Sequence, residues 1–441
     1  MLLDFKFKNF KSFYELTDFS MFADTSKREY KERLIKISDT KRAGKYILPS
    51  MVIYGANASG KTSIIEAINV LKQIIINGTV KKQIKNKAIT ELEICPFIHD
   101  EKKFREPIEF EITFCENEKI YSYKLGILVS FKEDKRSVAE EDLNIVEYKE
   151  KGTSIEEIKT NIFKRTENEV KLNTETKVLE LLEKDASFKE DAINLEKTFS
   201  QNLDQEDLFL TTGFKALISL KIETEILNWF QEKLTTIVDF NTREPLMMFE
   251  GAKDDEKTMY TNKYINKLVK LADLGPQEIG YMKDKNTGKY SLNSVYRQKG
   301  TKGGIIIDSK EIESRGTIKL INFWVTFMEY FKKGGIFILD EFDSSIHPEL
   351  VGGIIDLFNN PDVNKNHAQL IFNTHNPLYL QKRFYRRDQI MFVEKNEETY
   401  MSDIYKLSDL EVRNDVNYMK QYFEGKFGAL PFIDFEEALE K

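Results

Sequence analysis

The sequence predicts an α/β fold, in which a mixed sheet with flanking helices is joined by an antiparallel β subdomain and a helical insertion. Three patterns carry this prediction. Residues 50–54 and 336–339 are short, largely apolar runs that are typical of buried strands. Apolar residues at helical spacing follow the first run, over residues 63–74. Residues 107–114 and 119–131 alternate apolar and polar side chains, which predicts an antiparallel pair of strands.

Length and composition limit the class of protein. The chain has 441 residues, of which 41% are hydrophobic, so two or three domains with a large core are expected. A net charge of −7 argues against a strongly basic coat for nucleic acid, although local patches stay possible. The two cysteines, Cys95 and Cys115, suit a reducing cytosol better than a disulfide framework. With neither an apolar run of about 18 residues nor the apolar core of a signal peptide, we expect a cytoplasmic protein without a membrane segment.

The residues after the first apolar run match the phosphate-binding loop G-x-x-x-x-G-K-[ST] at every fixed position, from Gly55 to Thr62. Small residues let backbone N–H groups curl around phosphate oxygens, and the helix N-terminus adds a partial positive charge. Lys61 is expected to reach the β- and γ-phosphates, and Thr62 to offer its hydroxyl to Mg²⁺. The alternative is a glycine-rich turn with an exposed lysine, but the motif stands between a strand and a helix. The predicted nucleotide-binding residues here are Gly55, Asn57, Ala58, Ser59, Gly60, Lys61, Thr62 and Ser63.

A phosphate loop needs a partner carboxylate for the metal, and the run at 336–339 ends in Asp340 and Glu341. Asp340 would hold Mg²⁺ directly or through water, and Glu341 would orient or deprotonate the attacking water. An apolar run that ends in two acids is a weak signal alone and a strong one beside a phosphate loop. The sequence therefore predicts ATP and Mg²⁺ as cofactors, with Thr62 and Asp340 at the metal.

His375 follows a further apolar run, "QLIFNT", at residues 369–374. Ligands of doubly wound sheets bind at the carboxyl ends of the strands, so His375 is placed to hydrogen-bond a γ-phosphate. The alternative is a turn histidine that is satisfied locally. The predicted catalytic residues are Lys61, Glu341 and His375.

The segments "YGANASGKT", "IFILDEFDSSIHPEL" and "LIFNTHN" together resemble the ABC-type ATPases of the RecF, SMC and OLD group. The resemblance implies an ABC-type P-loop ATPase head, with ATP held between two copies of the chain. It implies that Asn57 approaches the γ-phosphate. It also implies that Lys11 and Ser12, in the opening segment "FKFKNFKSF", lie near the nucleotide.

The same group carries a signature segment that packs on the ATP of a second subunit. The best match here is "ESRGT", residues 313–317, which departs from the familiar L-S-G-G-Q form. The resemblance implies that Ser314 and Gly316 contact the partner's γ-phosphate from a helix N-terminus. Read locally, Ser314 is a helix N-cap, and both interpretations stay open.

A narrower resemblance covers most of the chain. "FREPIEFEITFCENEKIYSYKLGI", "ESRGT", "FYRRDQIMFVEKN" and "YFEGKFGALPFID" are similar, in order, to a bacterial family of ATPases. That family includes the ATPase subunits of the AbiL abortive-infection and PARIS phage-defence systems, and RloA-like proteins. The resemblance implies an ATPase that answers a phage trigger or nucleic acid and controls a separately encoded effector. We expect the effector on another polypeptide because too few residues follow His375 to form the nuclease domain of OLD-type proteins.

The two halves of the site lie far apart in the chain, so we expect a discontinuous ATPase domain. Residues 1–130 would form its first lobe, beginning with an antiparallel or edge-type strand. Residues 300–441 would form the second lobe. The inserted residues 131–299 would form a β/helical subdomain or short arm. Residues 174–199 and 221–238 carry helical spacing, and 251–264 read as a linker.

Two rival functions share parts of this pattern. A RecF-like DNA-repair ATPase would use basic clusters as its footprint on DNA. A transporter engine fits less well, because Phe342 stands where such engines carry proline after the paired acids. Either basic cluster could instead be a solvated or structural surface. The clusters are Lys81, Lys82, Lys85 and Lys87, and Lys382, Arg383, Arg386 and Arg387.

Overall fold

The computed structural model describes residues 1–27, 29–37, 45–82, 94–151, 154–238, 259–261, 263–272, 274–283, 290–298, 300, 304–413 and 416–431. Its strands are β1 (Leu2–Lys8), β2 (Thr17–Ser20), β3 (Ile35–Lys36), β4 (Tyr46–Ile47), β5 (Ser50–Gly55), β6 (Ile108–Glu116), β7 (Lys119–Ser130), β8 (Lys135–Lys151), β9 (Ser154–Thr166), β10 (Val170–Leu172), β11 (Leu234–Ile237), β12 (Glu278–Lys283), β13 (Tyr290–Arg297), β14 (Gly304–Asp308), β15 (Ile336–Leu339), β16 (Gln369–Asn373), β17 (Ile390–Lys395) and β18 (Ser402–Lys406). Its α-helices are α1 (Lys61–Asn77), α2 (Thr176–Leu181), α3 (Phe188–Gln201), α4 (Leu220–Asn228), α5 (Lys263–Leu271), α6 (Ser309–Ile312), α7 (Arg315–Lys332), α8 (Pro348–Asn359) and α9 (Tyr418–Phe423).

The six-stranded sheet that will carry the site has the order β11-β15-β16-β5-β17-β18. All neighbours in it are parallel except β18, which runs antiparallel to β17. Strand β5 therefore lies between β16 and β17, and one strand separates β5 from β15. The mixed sheet of the predicted α/β fold is confirmed.

Both faces of this sheet are buried, which explains its continuous apolar runs. On β5, Met51 and Ile53 enter a core shared with α1 and the antiparallel sheet, whereas Val52 and Tyr54 enter a core shared with α7 and α8. All four side chains are fully buried. Strands buried on two sides fix the position of the loops at their carboxyl ends.

The antiparallel subdomain is a seven-stranded sheet with the order β10-β9-β8-β7-β6-β1-β2. The predicted pairing of β6 with β7 is confirmed, with Ile112 opposite Tyr123. Strand β1 is antiparallel, as expected, but it lies inside the sheet between β6 and β2. The division of the chain after residue 130 stays a prediction, and that position is the end of β7, just before the turn to its partner β8.

The predicted helices of the insertion are partly confirmed. Residues 174–199 contain α2 and α3, and residues 221–238 contain α4 followed by a π-helical turn. The expectation of helix is wrong for Leu234–Ile237, which forms β11 and pairs in parallel with β15. The run Thr235-Thr236-Ile237 is β-branched and suits a strand. Of the predicted linker, residues 251–258 and 262 lie outside the described chain.

Helices α7 and α8 cover the face of the parallel sheet into which Val52 and Tyr54 point. Their aromatic rings pack at an angle to the ring of Phe337 on β15. Phe327 of α7 contacts Phe337 of β15 and Phe358 of α8, with ring centroids 5.5 and 5.6 Å apart. These contacts hold α7 along β15, the strand that leads to Asp340. Among the described residues, no helix combines the length and apolar composition needed to cross a lipid bilayer.

Candidate nucleotide site

The loop between β5 and α1 curls because two of its residues adopt left-handed conformations. Ala58 has φ 60° and Gly60, at the N-cap of α1, has φ 112°. A Cβ on Gly55 would lie 2.5 Å from Ser59 Oγ and 2.6 Å from the Val393 carbonyl. Glycine is therefore required at residue 55 for close packing and favoured at residue 60 by its φ angle.

Lys61 is buried at the start of α1, and its ammonium lies against the loop. Lys61 Nζ donates to the carbonyl oxygens of Gly55 at 3.0 Å and Ala56 at 2.9 Å. Burial lowers the pKa of Lys61, while the nearby charges of Asp340 and Glu341 act in the opposite direction. A desolvated cation beside a helix N-terminus attracts a phosphate group strongly.

Thr62 and Asp340 bring the two halves of the predicted site together. Thr62 Oγ1 lies 3.1 and 3.2 Å from the two carboxylate oxygens of Asp340, although 278 residues separate them. Burial raises the pKa of Asp340, and hydrogen bonds from Asn373 and Thr62 oppose that shift. A hydroxyl beside a carboxylate is an oxygen donor set that suits Mg²⁺. The residues at this point therefore fit the predicted metal.

Glu341 follows at the end of β15 with an exposed side chain and a constrained backbone. Its φ of 42° lies in the left-handed region. Its N–H donates to Asn373 Oδ1 at 2.6 Å, and its carbonyl accepts from Lys319 Nζ at 2.9 Å. Asn373 also donates to Asp340 Oδ1. One asparagine thus contacts both acids.

His375 lies at the carboxyl end of β16 with an exposed side chain. Partial burial lowers the pKa of His375, and the positive charge of Lys61 lowers it further. The negative charge of Glu341 acts in the opposite direction and raises this pKa. The three predicted catalytic groups therefore lie within electrostatic range of one another. Thr374 stabilises the turn, since its hydroxyl donates to Asp343 Oδ2 at 2.7 Å and accepts from the Asn376 N–H at 2.8 Å.

Lys11 and Ser12 lie on the other side of the loop. They line a cavity of about 270 Å³ together with Ala58 and residues 60–63. Lys11 Nζ forms an ion pair with Glu66 Oε2 of α1 at 2.5 Å. The hydroxyl of Ser12 lies 2.8 Å from that of Ser402, which in turn donates to the Ser59 carbonyl at 2.7 Å. The structure therefore places both residues beside the loop, and their contact with a nucleotide stays a prediction.

Ser314 and Gly316 begin α7, and both make contacts within their own chain. Ser314 Oγ accepts the N–H of Thr317 at 3.1 Å, so the local interpretation of Ser314 as an N-cap is confirmed. Gly316 is buried, and a Cβ there would lie 1.8 Å from the carbonyl of Ser345. Gly316 thus has a packing role against the segment that follows Glu341. Contact of either residue with a partner's nucleotide stays a prediction.

Half of the second basic cluster is structural. Arg386 is fully buried and pairs with Asp388 at 2.9 Å, and the largely buried Arg387 pairs with Glu29 at 3.2 Å. The interpretation of these two arginines as a nucleic-acid footprint is therefore wrong. Arg383 is exposed and pairs with Glu349 at 2.8 Å.

In the first basic cluster, Lys81 pairs with Asp207 and Lys82 with Asp134, each at 3.0 Å. Lys85 and Lys87 lie outside the described chain. The two lysines that the structure describes therefore have acidic neighbours within the chain.

Sequence reasoning missed several residues that hold the site together. Asn373, Thr374 and Lys319 contact the acids or the turn around them, and Ser402 contacts the loop. For the first two, the signal was present, because a polar "NT" ends an otherwise apolar strand. Lys319 and Ser402 carry no such signal, because they reach the site only through the fold.

The fold and the site define a P-loop nucleotide-binding domain in which the loop strand and the acidic strand flank the strand that leads to His375. A family model described as "AAA domain, putative AbiEii toxin, Type IV TA system" matches residues 50–380, and the chain belongs to this family. The match includes the loop, Asp340, Glu341 and His375. Domains of this class bind and hydrolyse ATP, usually with Mg²⁺.

No curated protein matches the chain. Among solved structures, an SMC head domain from Thermotoga maritima is 16% identical, with a TM-score of 0.36, covering 93% of this chain and 99% of that one. An SMC head bound to the C-winged helix domain of ScpA is 13% identical, with a TM-score of 0.38 and coverages of 92% and 97%. An SMC head with an extended coiled coil, bound to a ScpA domain derived from Pyrococcus furiosus, is 12% identical, with a TM-score of 0.39 and coverages of 97% and 98%.

Proposed function

We propose that this chain is an ATP-binding and ATP-hydrolysing switch that dimerises around its nucleotide. The contact between Thr62 Oγ1 and the Asp340 carboxylate carries the proposal. It joins the phosphate loop to the acidic strand, at the N-terminus of α1 and beside a buried lysine. A site with this composition has one evident use, which is to bind a nucleoside triphosphate with its metal.

Each residue has a distinct role in the proposed reaction. The loop N–H groups and Lys61 bind the β- and γ-phosphates, and Thr62 and Asp340 hold Mg²⁺. The metal, when bound, neutralises developing charge on the phosphate oxygens. Glu341 orients the attacking water or takes its proton, and its exposed side chain leaves room for that water. His375 hydrogen-bonds the γ-phosphate and so distinguishes ATP from ADP.

The dimer rests on the exposed N-terminus of α7. Ser314 is exposed there, and the N–H groups of the first turn carry the partial positive charge of the helix. In a second copy this helix end would meet the γ-phosphate bound by the first. Such a contact exists only while the γ-phosphate is present, so hydrolysis biases a two-state equilibrium between dimer and separated subunits.

For the biological role, we propose an ATPase sensor or regulator of a bacterial anti-phage system that controls a separate effector such as a nuclease. Support comes from the family description, which names a toxin of a type IV toxin–antitoxin system, and from the resemblance to the AbiL and PARIS ATPases. This step is an argument by family and not by chemistry within the chain. The RecF-like alternative gains no support from the buried Arg386 and Arg387.

The proposal is tested by measuring phosphate release from ATP and Mg²⁺ with the wild type, Lys61→Ala and Glu341→Gln. We expect turnover by the wild type only, with ATP still bound by Glu341→Gln. A wild type that binds no ATP would contradict the proposal. The biological role is tested separately by expressing the chain with and without its neighbouring genes: toxicity should require both, and equal toxicity of the chain alone would refute a separate effector.

A further inference from the structure

The backbone of Glu341 is held in a conformation that residues other than glycine seldom adopt. Its φ of 42° is left-handed. Such conformations carry a conformational cost and persist where the surrounding structure enforces them. At Glu341 both polar groups of the main chain are engaged by side chains, and the carbonyl also accepts the Ser344 N–H at 3.1 Å.

The first contact comes from β16. Asn373 is buried, and its Oδ1 accepts the Glu341 N–H at 2.6 Å. The amide nitrogen of the same side chain donates to Asp340 Oδ1. Because β15 and β16 are parallel neighbours, Asn373 lies at the carboxyl end of the sheet beside both acids. It fixes the direction in which the chain leaves β15.

The second contact comes from α7. Lys319 Nζ donates to the Glu341 carbonyl at 2.9 Å and to the Ser344 carbonyl at 3.1 Å. The approach of α7 is set by Gly316, whose missing Cβ makes room for the Ser345 carbonyl. Lys319 therefore spans the turn that begins at Glu341 and ties it to the helix that starts at Ser314.

We propose that Lys319 and Asn373 are positioning residues that together hold Glu341 in the left-handed conformation, with its carboxylate directed at the water that attacks ATP. This inference rests on the proposed ATPase function. It also links Ser314 to Glu341 through one helix, since Lys319 lies little more than one turn after the N-terminus of α7. A ligand that shifts the start of α7 would then shift Glu341.

The test compares Lys319→Met with Lys333→Met, a matched control at the far end of α7, where Lys333 pairs with Glu329 at 3.5 Å. Misplaced reacting groups cost roughly 100-fold in rate, so we expect kcat of Lys319→Met to fall by about that factor. KM and the Kd for ATP with Mg²⁺ should change less than about twofold, because the phosphate loop is intact. Lys319→Arg should recover part of the loss, since its guanidinium can still donate to both carbonyls.

A double-mutant cycle separates positioning from a general structural effect. With Glu341 replaced by alanine there is no carboxylate left to misplace, so adding Lys319→Met should leave the residual rate unchanged. The positioning role would be overturned if Lys319→Met kept the wild-type kcat, or if Lys319→Met and Lys333→Met lost kcat equally. Either result would leave the proposed ATPase function standing. A wild type without ATP hydrolysis would instead remove the proposed function and this inference with it.

Discussion

The N-termini of α1 and α7 are both proposed to meet phosphate, yet they are built differently. Helix α1 starts from Gly60, which has no side chain to cap it. Helix α7 starts from Ser314, whose hydroxyl already accepts the N–H of Thr317. The first turn of α1 therefore has no side-chain cap for its N–H groups, whereas that of α7 is partly satisfied within the chain. An uncapped helix end suits an incoming phosphate, and the proposed role of the capped end is to add to a nucleotide that is already bound.

The largest expected effect concerns α1. Lys61→Ala removes the cation beside the loop, and losing such a group costs about 10²–10³-fold in kcat. Phosphate release measures the loss, and circular dichroism checks that the fold is retained. If Lys61→Ala hydrolysed ATP at the wild-type rate, the contrast between the two helix ends would be wrong, because α1 would then not be the primary phosphate site.

The next effect concerns the packing of α7. Gly316→Ala places a methyl group against the Ser345 carbonyl, and overpacking of this kind costs about 1–3 kcal/mol in the free energy of unfolding. The matched control is Gly353→Ala in α8, where nothing lies within 4 Å of the added carbon. That change should stabilise the protein by about 0.5–1 kcal/mol. Urea unfolding measures both, and equal effects would show that Gly316 has no packing role.

Ser314 itself allows capping to be separated from ligand binding. Ser314→Ala should cost about 1 kcal/mol in stability, because the Thr317 N–H loses its partner. Ser314→Asp and Ser314→Asn both keep the cap, but only aspartate adds a negative charge that would repel a partner's triphosphate. We expect ATP-dependent dimerisation to fail in Ser314→Asp and to persist in Ser314→Asn. Dimerisation of both would mean that this helix end does not meet phosphate.

The smallest effect is on pH dependence. Burial and the Lys61 charge hold the pKa of His375 below the ordinary imidazole range. The side chain therefore stays neutral at pH values where a free histidine is already protonated. We expect kcat/KM, which reports the groups of the nucleotide-free protein, to stay level as the pH falls through that range and to decline only below it. A decline centred at the ordinary histidine pKa would contradict this environment, and His375→Gln should remove the part of the decline that His375 causes, while the loss caused by protonating Asp340 remains.

The sequence predicts those parts of the fold and site whose residues are close together in the chain, and it fails where the contacts form only on folding. Strand β5, the loop and α1 are contiguous, so their motif and periodicity identify them together. The pairing of Thr62 with Asp340 was predictable because a phosphate loop needs a partner carboxylate and the apolar run at 336–339 is followed by two acids. Strand β11 was mistaken for helix, since its partner β15 lies about 100 residues further on and supplies the main-chain bonds. The Lys319 contact likewise depends on the packing of α7, which no local pattern reveals.

The central claim is that ATP joins two copies of the chain, and the native mass of Glu341→Gln tests it most directly. The protein should be measured at micromolar concentration with ATP and Mg²⁺, and again with ADP and Mg²⁺. We predict a dimer or a larger even-numbered assembly with ATP and a smaller species with ADP. The same mass in both nucleotides, with ATP demonstrably bound, would contradict the claim.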